Sequence, residues 1–300
     1  MKRCVFIQGG LGNQMFGYAF FLLLKRVYPQ TEVSTYFFSN HNDHNGLELP
    51  RIFPIQLTEY RRARARLYWK LYYTSLRSTF IGRGCKLMLL FLRYLNLGLC
   101  IEPASRHTRA ALGSDYIFNK KYKMYLGYWT SEFQRFTSIE DEIRKHFSFK
   151  VEMLSPQSTL LWTELKEEPN SVSLHIRRGD YLNNPQLLDI CDDTYYCKAC
   201  SIINKRMKGV RFYVFSDDIS WVKQHLSLPE STVYVDWNKK EDAWQDLFLM
   251  SHCRHNIIAN STFSWWGAWL NSNPDKTVIC PKTYSRTLDT DIMPDKWIKI

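Results

Sequence analysis

Short apolar segments alternate with helical patterns along the second half of the chain, and this alternation constrains the fold more than any other feature. The sequence predicts strands at 172–176, 211–216, 232–236, 256–259 and 277–280, and helices at about 193–207, 220–225, 243–253 and 263–271. Strands separated by helices are joined by crossovers, so the pattern predicts a parallel sheet. We therefore expect an α/β fold.

The first half opens with the same kind of unit. An apolar strand over 4–8 ends in the glycine-rich segment 9–13, and an apolar helix over 14–25 follows. A strand, a glycine loop and a helix in this order are typical of an α/β unit. The length of 300 residues suggests two domains, and prolines and glutamates cluster between about 150 and 170. We expect domains at 1–155 and 156–300.

Positive charge is concentrated in one segment. The chain carries 40 lysines and arginines and 29 acidic residues, a net charge of +11. Residues 60–101, the basic segment, contain no acidic residue, and their basic residues are Arg61, Arg62, Arg64, Arg66, Lys70, Arg77, Arg83, Lys86 and Arg93. The rest of the chain is therefore close to neutral. A balance of this kind suggests three kinds of partner: nucleic acid, an anionic membrane surface or an acidic substrate.

The apolar runs and the cysteines bear on the compartment. The 8 cysteines in 300 residues are too few for a disulfide scaffold. No apolar run reaches the roughly 18 residues that a transmembrane helix needs. The first apolar run, from Cys4, indicates a core strand and not a signal peptide. We expect a cytoplasmic protein with free thiols.

The segment HIRRGDY, residues 175–181, lies where the first of these second-half strands ends. Ligands bind at this edge of an open α/β sheet. Arg177 and Arg178 offer planar forks that pair with phosphate oxygens, Gly179 permits a tight turn, and Asp180 can hold an arginine in place. The alternative is a strand end with salt bridges and no ligand. Because His175 in the strand and a glycine in the turn accompany the arginines, we favour a phosphate site.

Small hydroxyl residues precede the predicted helix at 263–271. Ser261 and Thr262 provide hydroxyls and backbone N–H groups at the positive end of that helix, which together form an anion site. The alternative is an ordinary helix cap, which serine and threonine provide in many proteins. Gly10 and Gly12 in the N-terminal loop allow close approach of a ligand to the backbone. An ordinary tight turn explains these glycines equally well.

Metal binding is a further alternative at two places. Asp217 and Asp218 follow a predicted strand and supply oxygen ligands, but helix capping or hydrogen bonding to a ribose explains them at least as well. Cys191, Cys197 and Cys200 have spacing close to that of a zinc site, without a nearby fourth ligand. We expect half-buried helix cysteines here and no metal.

Five segments together resemble the α-1,2-fucosyltransferases of glycosyltransferase family 11. They are GGLGNQMFGYAF (9–20), LGYWTSEFQRF (126–136), HIRRGDY (175–181), FSDD (215–218) and DAWQDLFLMSHCRHNIIANSTFSWWGAWL (242–270), in the family's order. The resemblance implies a GT-B-like fold with two Rossmann-like domains facing each other across a cleft. It implies an N-terminal acceptor-side domain, which contains the basic segment, and a C-terminal domain that binds GDP-fucose.

The resemblance also implies an activity. The enzyme would transfer L-fucose from GDP-β-L-fucose to the 2-hydroxyl of a galactoside, with inversion and without a metal or other cofactor. GDP-fucose is then a substrate, and the acceptor is a galactose-terminated glycan, lipid-linked if the chain serves the synthesis of a surface polysaccharide or lipopolysaccharide.

Residue roles follow from the same resemblance. Arg177 matches the arginine that grips the β-phosphate, Asn13 the asparagine that reaches the fucose, and Asp246 the acid that pairs with guanine. We expect donor binding by His175, Arg177, Arg178, Asp217, Asp246, Ser261, Thr262, Phe263, Gly10 and Gly12, and catalysis by Arg177, Asp180 and Asn13. The proton acceptor stays open among Asp180, His175, Asn13 and the departing phosphate.

The basic segment lies outside the matched motifs and supports two other readings. Its interleaved aromatic residues, Tyr68, Trp69, Tyr72 and Tyr73, suggest a nucleic-acid-binding protein. Its charge also suggests a peripheral membrane module without catalysis. No recognised nucleic-acid motif accompanies it, so we expect no nucleic-acid partner. We predict that the segment lies on an anionic membrane surface, on its inner face, or near a lipid-linked acceptor.

Overall fold

The computed structural model describes residues 2–39, 44–287 and 292–300. The chain divides into two compact units, Met1–Ser148 and Phe149–Ile300. The division comes several residues before the predicted one, because Phe149 packs on the second unit: its ring stacks 6.1 Å from Trp244 and lies edge-on 5.3 Å from Phe248. Pro156, which contributed to the predicted boundary, instead begins a helix that Ser155 caps.

The first unit has a parallel sheet with strand order β2-β1-β4-β3. Its strands are β1 (Arg3–Phe6), β2 (Thr31–Ser34), β3 (Gly98–Ile101) and β4 (Tyr122–Leu126). Its helices are α1 (Leu11–Val27), α2 (Leu49–Ile52), α3 (Arg62–Ser75), α4 (Phe80–Tyr94), α5 (Arg106–Leu112) and α6 (Glu140–His146). Because α1 is apolar on nearly every side, it lies buried against the sheet.

The second unit has a parallel sheet with strand order β10-β9-β8-β5-β6-β7. Its strands are β5 (Ser171–Ile176), β6 (Arg211–Ser216), β7 (Val233–Val235), β8 (His255–Ile257), β9 (Val278–Cys280) and β10 (Ile298–Lys299). Its helices are α7 (Pro156–Glu167), α8 (Asp193–Arg206), α9 (Ile219–His225), α10 (Trp244–His252) and α11 (Thr262–Leu270). The α/β fold predicted from the alternation is confirmed in both units.

The order of strands in the second unit fixes where a ligand can bind. The chain runs outward from β5 to β7 on one side of β5, and from β8 to β10 on the other. The direction of winding therefore reverses between β5 and β8, and the loops that follow these two strands separate there. In open α/β sheets this point at the carboxyl ends of the strands forms the binding crevice.

The helices of both units were compared with the length and apolar character that a bilayer requires. No helix within 2–39, 44–287 and 292–300 is both long and apolar enough to cross a bilayer.

Candidate functional site

Arg177 is the first residue after β5, at the reversal point of the second sheet. Its guanidinium contacts two carboxylates: Nη2 lies 2.8 Å from Asp180 Oδ1, and Nη1 lies 3.0 Å from Asp217 Oδ2. The ion pair predicted between Asp180 and an arginine is therefore present. Burial acts to lower the pKa of Arg177, but Asp217 and Asp180 outweigh it, so its pKa is raised and the charge is retained. The two contacts fix the plane of the fork.

Arg178 continues the cluster: it shares Asp217 with Arg177 and also pairs with Asp218. Its backbone N–H donates to Asp217 Oδ1 at 2.9 Å, and its Nε donates to Asp218 Oδ2 at 3.3 Å. Its guanidinium lies 4.1 Å from the centre of the Trp221 ring, a cation–π contact. Hydrogen bonds and ion pairs to Asp217 and Asp218 thus link the loop after β5 to the loop after β6.

Asp217 and Asp218 serve the arginines and the start of α9. Asp218 accepts a hydrogen bond from Trp221 N at 3.0 Å, as a helix N-cap does. Asp217 lies 2.9 Å from the position that a Cβ on Gly179 would occupy, so the glycine leaves room for the carboxylate beside Arg177. The capping alternative is therefore present at Asp218. Among the described residues, no group of three or more His, Cys, Asp or Glu side chains is placed to hold a metal ion.

His175 lies inside the sheet and is neutral. Burial, with a smaller contribution from Arg177, lowers the pKa of its imidazole to about 3. Its Nδ1 is buried without a hydrogen-bond partner among the described residues. A group with this pKa is a poor proton acceptor at neutral pH, which argues against His175 as the general base. The histidine ring lies 5.9 Å from Phe263, so β5 and α11 meet here.

The start of α11 adds the second part of the cluster. The hydroxyl of Ser261 caps the helix by accepting a hydrogen bond from Phe263 N at 3.3 Å. The helix begins at Thr262, one residue before the predicted position. Tyr181 Oη donates to Asn260 O at 3.1 Å, which ties the turn after β5 to the turn before α11. The positive end of this nine-residue helix therefore opens beside the arginine turn.

Asp246 lies on α10, in a half-buried position. Asn238 Nδ2 donates to its Oδ1 at 2.8 Å. Burial raises the pKa of Asp246 to about 8, and the hydrogen bond from Asn238 only partly opposes that shift. Further hydrogen-bond donors beside this carboxyl, like that of Asn238, would lower its pKa and favour the ionised form.

The glycine-rich segment of the first unit is partly helical, which corrects the prediction that 9–13 is a loop. Helix α1 begins at Leu11, so Gly12 and Asn13 form its first turn and Gly10 precedes it. The helix starts early because Gly9 adopts a φ of +75°, which turns the chain sharply at the end of the strand. A Cβ on Gly9 would lie 2.9 Å from Asn13 Nδ2, so the asparagine folds over the glycine.

Sequence reasoning missed the role of Gln14, which is fully buried. Its Nε2 donates to Gly9 O at 2.9 Å and to Gly46 O at 2.8 Å, and its Oε1 accepts from Glu48 N at 2.9 Å. One amide side chain thus joins the glycine turn to a second loop. In the sequence, Gln14 is a single polar residue at the start of an apolar helix. An amide in that position, next to a glycine-rich segment, could have indicated a buried hydrogen-bonding role.

Glu102 organises the motif at 126–136, which sequence reasoning matched without assigning a role. Its carboxylate accepts from the backbone N–H of Trp129 and from both the backbone N–H and the hydroxyl of Ser131, the last two at 3.0 Å. Trp129 has a φ of +62° and stacks on Phe20 with ring centres 3.9 Å apart. The carboxylate thereby compensates for a turn that few side chains adopt.

The predicted residues therefore form two groups. The second unit brings together most of the predicted donor-binding residues, and the predicted catalytic residue Asp180 lies with them. These donor-binding residues are His175, Arg177, Arg178, Asp217, Ser261, Thr262 and Phe263. Asp246 lies on another element of that unit, and Gly10, Gly12 and Asn13 lie in the first unit. The clustered side chains offer fixed cations and a helix start to an anion at the edge of a parallel sheet.

Comparison with solved structures supports this architecture. The chain matches the fucosyltransferase NodZ from Bradyrhizobium with a TM-score of 0.50 at 11% identity, over 89% of this chain and 91% of that one. At this identity the likeness shows the fold, and the predicted GT-B-like α/β class with parallel sheets is confirmed.

Comparison with sequences gives the family. The chain is 31% identical to the O-antigen biosynthesis glycosyltransferase WbnK of Escherichia coli, over 98% of this chain and 99% of that protein. It is 27% identical to an α-1,2-colitosyltransferase of Escherichia coli, over 98% and 97%. The model of glycosyl transferase family 11 matches residues 111–300. The chain belongs to glycosyl transferase family 11, and it is a glycosyltransferase.

Proposed function

We propose that this glycosyltransferase moves L-fucose from GDP-β-L-fucose to the 2-hydroxyl of a terminal galactose, with inversion and without a metal. The observation that carries the proposal is the placement of Arg177, oriented by Asp180 and Asp217 beside the start of α11. Both groups offer N–H donors to a diphosphate at the point where open α/β sheets bind nucleotides.

The chemistry fits that arrangement. As the bond between C1 of fucose and the β-phosphate oxygen breaks, negative charge grows on the phosphate and the sugar becomes oxocarbenium-like. Arg177 has two of its N–H donors on carboxylates, so three remain for the phosphate. The acceptor oxygen then bonds to C1 from the opposite face and loses its proton. His175 is neutral with a low pKa, and the amide of Asn13 accepts hydrogen bonds but is not basic. Asp180 and the departing phosphate therefore remain the candidates for receiving that proton.

Guanine recognition is assigned to Asp246. A carboxylate can accept two hydrogen bonds side by side, and guanine carries adjacent N–H donors on one edge of the base. The half-buried position of Asp246 excludes part of the water that would compete for the same donors. Gly10, Gly12 and Asn13 are assigned to the sugar of the donor.

The linkage and the acceptor class follow the relatives. One is named for α-1,2 transfer of colitose, and another for O-antigen biosynthesis. We infer an α-1,2 linkage and a galactose-terminated glycan of a surface polysaccharide, lipid-linked during its synthesis. GDP-colitose is the second candidate donor, because the colitosyltransferase aligns over nearly the whole chain.

The experiment is a transfer assay with GDP-fucose or GDP-colitose against Galβ1,3 and Galβ1,4 disaccharides, in excess EDTA. We expect α-1,2-fucosylated product, and we expect Arg177→Ala to lower turnover by at least about a hundredfold, as loss of one transition-state donor does elsewhere. The matched control is Arg211→Ala, because Arg211 forms an ion pair with Glu164 at the amino ends of the strands, far from the carboxyl ends where Arg177 lies. Three results would contradict the proposal. A requirement for added Mn²⁺ would contradict transfer without a metal, and exclusive use of GDP-colitose would contradict fucose as the sugar. Full activity of Arg177→Ala would contradict the role given to Arg177.

A further inference from the structure

Helix α4 carries apolar residues on two opposite faces. Its inner face consists of Gly82, Cys85, Leu89 and Leu92, spaced three and four residues apart. The two leucines pack against a core cluster that contains Tyr68 and Trp69 of α3. This face accounts for the attachment of α4 to the first unit.

The outer face of α4 is also apolar and lies in solvent. Phe80, Leu87, Phe91 and Tyr94 follow one another at helical spacing, with exposed fractions of 91%, 67%, 55% and 80%. Other exposed apolar side chains beside them are Leu76, Ile81, Met88, Leu90 and Leu95. Exposed apolar patches of this size mark sites of interaction with a protein or a membrane.

Charge distinguishes between those two partners. Arg83, Lys86 and Arg93 border the outer face of α4, and Arg62 and Arg66 are among the exposed basic residues of α3. No acidic residue occurs in the basic segment, and none of its nine basic residues forms an ion pair within the described parts of the chain. The patch therefore combines an apolar face with uncompensated positive charge.

We propose that α3 and α4 form a membrane-docking surface for an anionic bilayer. The outer face of α4 enters the boundary between headgroups and acyl chains, and the arginines and lysines beside it contact lipid phosphates. The 15 residues of α4 span about 22 Å, short of the roughly 30 Å of a hydrocarbon core. The helix therefore lies in the plane of the membrane and does not cross it.

Other occupants fit the surface less well. A second copy of the chain would place nine positive charges against nine, without an acidic residue in the segment to pair with them. A nucleic acid would neutralise the arginines but would leave Leu87, Met88 and Leu90 in water, since aliphatic side chains do not stack on bases. An anionic bilayer satisfies both the charge and the apolar face.

The test is flotation of the full chain with vesicles of phosphatidylcholine alone and of phosphatidylcholine with about one third phosphatidylglycerol. The charge variant carries Arg62→Gln, Arg66→Gln, Arg83→Gln and Lys86→Gln. The face variant carries Phe80→Gln, Leu87→Gln, Phe91→Gln and Tyr94→Gln. The matched controls carry Lys120→Gln, Lys121→Gln, Lys205→Gln and Arg206→Gln for charge, and Leu160→Gln for an exposed apolar residue on α7.

We expect the natural chain and both controls to float with anionic vesicles and not with neutral ones. Each test variant should bind anionic vesicles at least about tenfold more weakly than the natural chain does. Binding of the natural chain that persists at high salt should be absent in the face variant. Circular dichroism of every variant checks that the fold is retained. Vesicle binding is measured without any transfer reaction, so its result does not depend on which sugar the enzyme transfers.

Three results would overturn the proposal. The first is anionic-vesicle binding unchanged in both test variants. The second is that the natural chain forms a dimer in lipid-free solution, that the face variant is a monomer, and that neither binds vesicles. The third is sub-micromolar RNA or DNA binding at physiological salt through the same arginines, again without vesicle binding.

Discussion

Asp246 gives the strongest quantitative prediction, because its ionisation and its proposed role are coupled. Burial raises the pKa of Asp246 to about 8, so the free protein holds this carboxyl mainly protonated at pH 7. Guanine offers N–H donors to it, and only the ionised carboxylate has both oxygens available as acceptors. Binding of GDP should therefore release a proton.

The raised pKa fixes the size and sign of the effect. With a pKa of about 8, the ionised fraction of Asp246 is about 1% at pH 6 and about half at pH 8. The apparent Kd scales inversely with the competent fraction, so it should fall about fiftyfold over that range, equivalent to about 2.3 kcal/mol. Affinity for GDP thus rises with pH, opposite to the trend for a ligand that prefers the protonated form.

Isothermal titration with GDP across this pH range, in buffers that differ in ionisation enthalpy, measures both the affinity and the proton release. Asp246→Asn is the control, because it keeps the hydrogen bond to Asn238 possible and removes the ionisation. Titration of the GDP phosphates occurs equally with the variant and is subtracted. The reasoning is refuted if the natural protein and Asp246→Asn show the same pH slope, or if affinity falls as pH rises.

Three further substitutions test the geometry. Gly179→Ala places a Cβ 2.9 Å from Asp217 Oδ2 and should disturb the carboxylate that orients Arg177; steady-state kinetics should show kcat/KM at least about tenfold lower with little change in Tm. Gln14→Leu leaves three backbone groups without their partner and should destabilise the first unit by about 3 kcal/mol or more in urea unfolding; a change below about 1 kcal/mol would contradict that reading. Trp129→Ala removes a stacked, fully buried ring and should lower the free energy of unfolding by about 3–5 kcal/mol in the same assay, with a smaller loss counting against it.

Much of the second unit was predictable because its elements have clear periodic patterns. Residues 211–216 were predicted as a strand, and β6 occupies Arg211–Ser216. The predicted helix at 243–253 differs from α10 by one residue at each end. In both places an apolar run ends at charged or small residues, so local preference and burial agree.

The short strands of the first unit gave no such signal. β2, Thr31–Ser34, has only one apolar side chain, yet all of it is buried. Glu32 is buried within it and forms an ion pair with Lys2, a contact between residues far apart in sequence. β3 and β4 were also missed, as was β10 of the second unit, because a short strand depends on its neighbours in the sheet more than on its own residues. Composition alone therefore understates the amount of sheet.

The candidate site was predictable in its residue types and not in its connections. The arginine turn, the hydroxyl helix start and the paired aspartates are all visible in the sequence. That Asp217 would join Arg177 and the backbone of Arg178 depends on β5 and β6 lying side by side, which is a tertiary fact. Gln14 and Glu102 were missed for the same reason, since each bridges segments that are separate in sequence.

Placement of charge separates two of the three kinds of partner that the net charge of +11 suggests, the acidic substrate and the anionic membrane surface. At the proposed donor site, Arg177 and Arg178 are accompanied by Asp180, Asp217 and Asp218, so the cluster carries no positive excess. An anion is attracted there by the orientation of N–H groups and the helix start, which act over a short range. In the basic segment the charges have no acidic neighbours in sequence, so their field extends about a Debye length into solvent. In the two proposals, the charge surplus therefore bears on where the enzyme binds, and the donor site relies on arginines whose charge is already balanced.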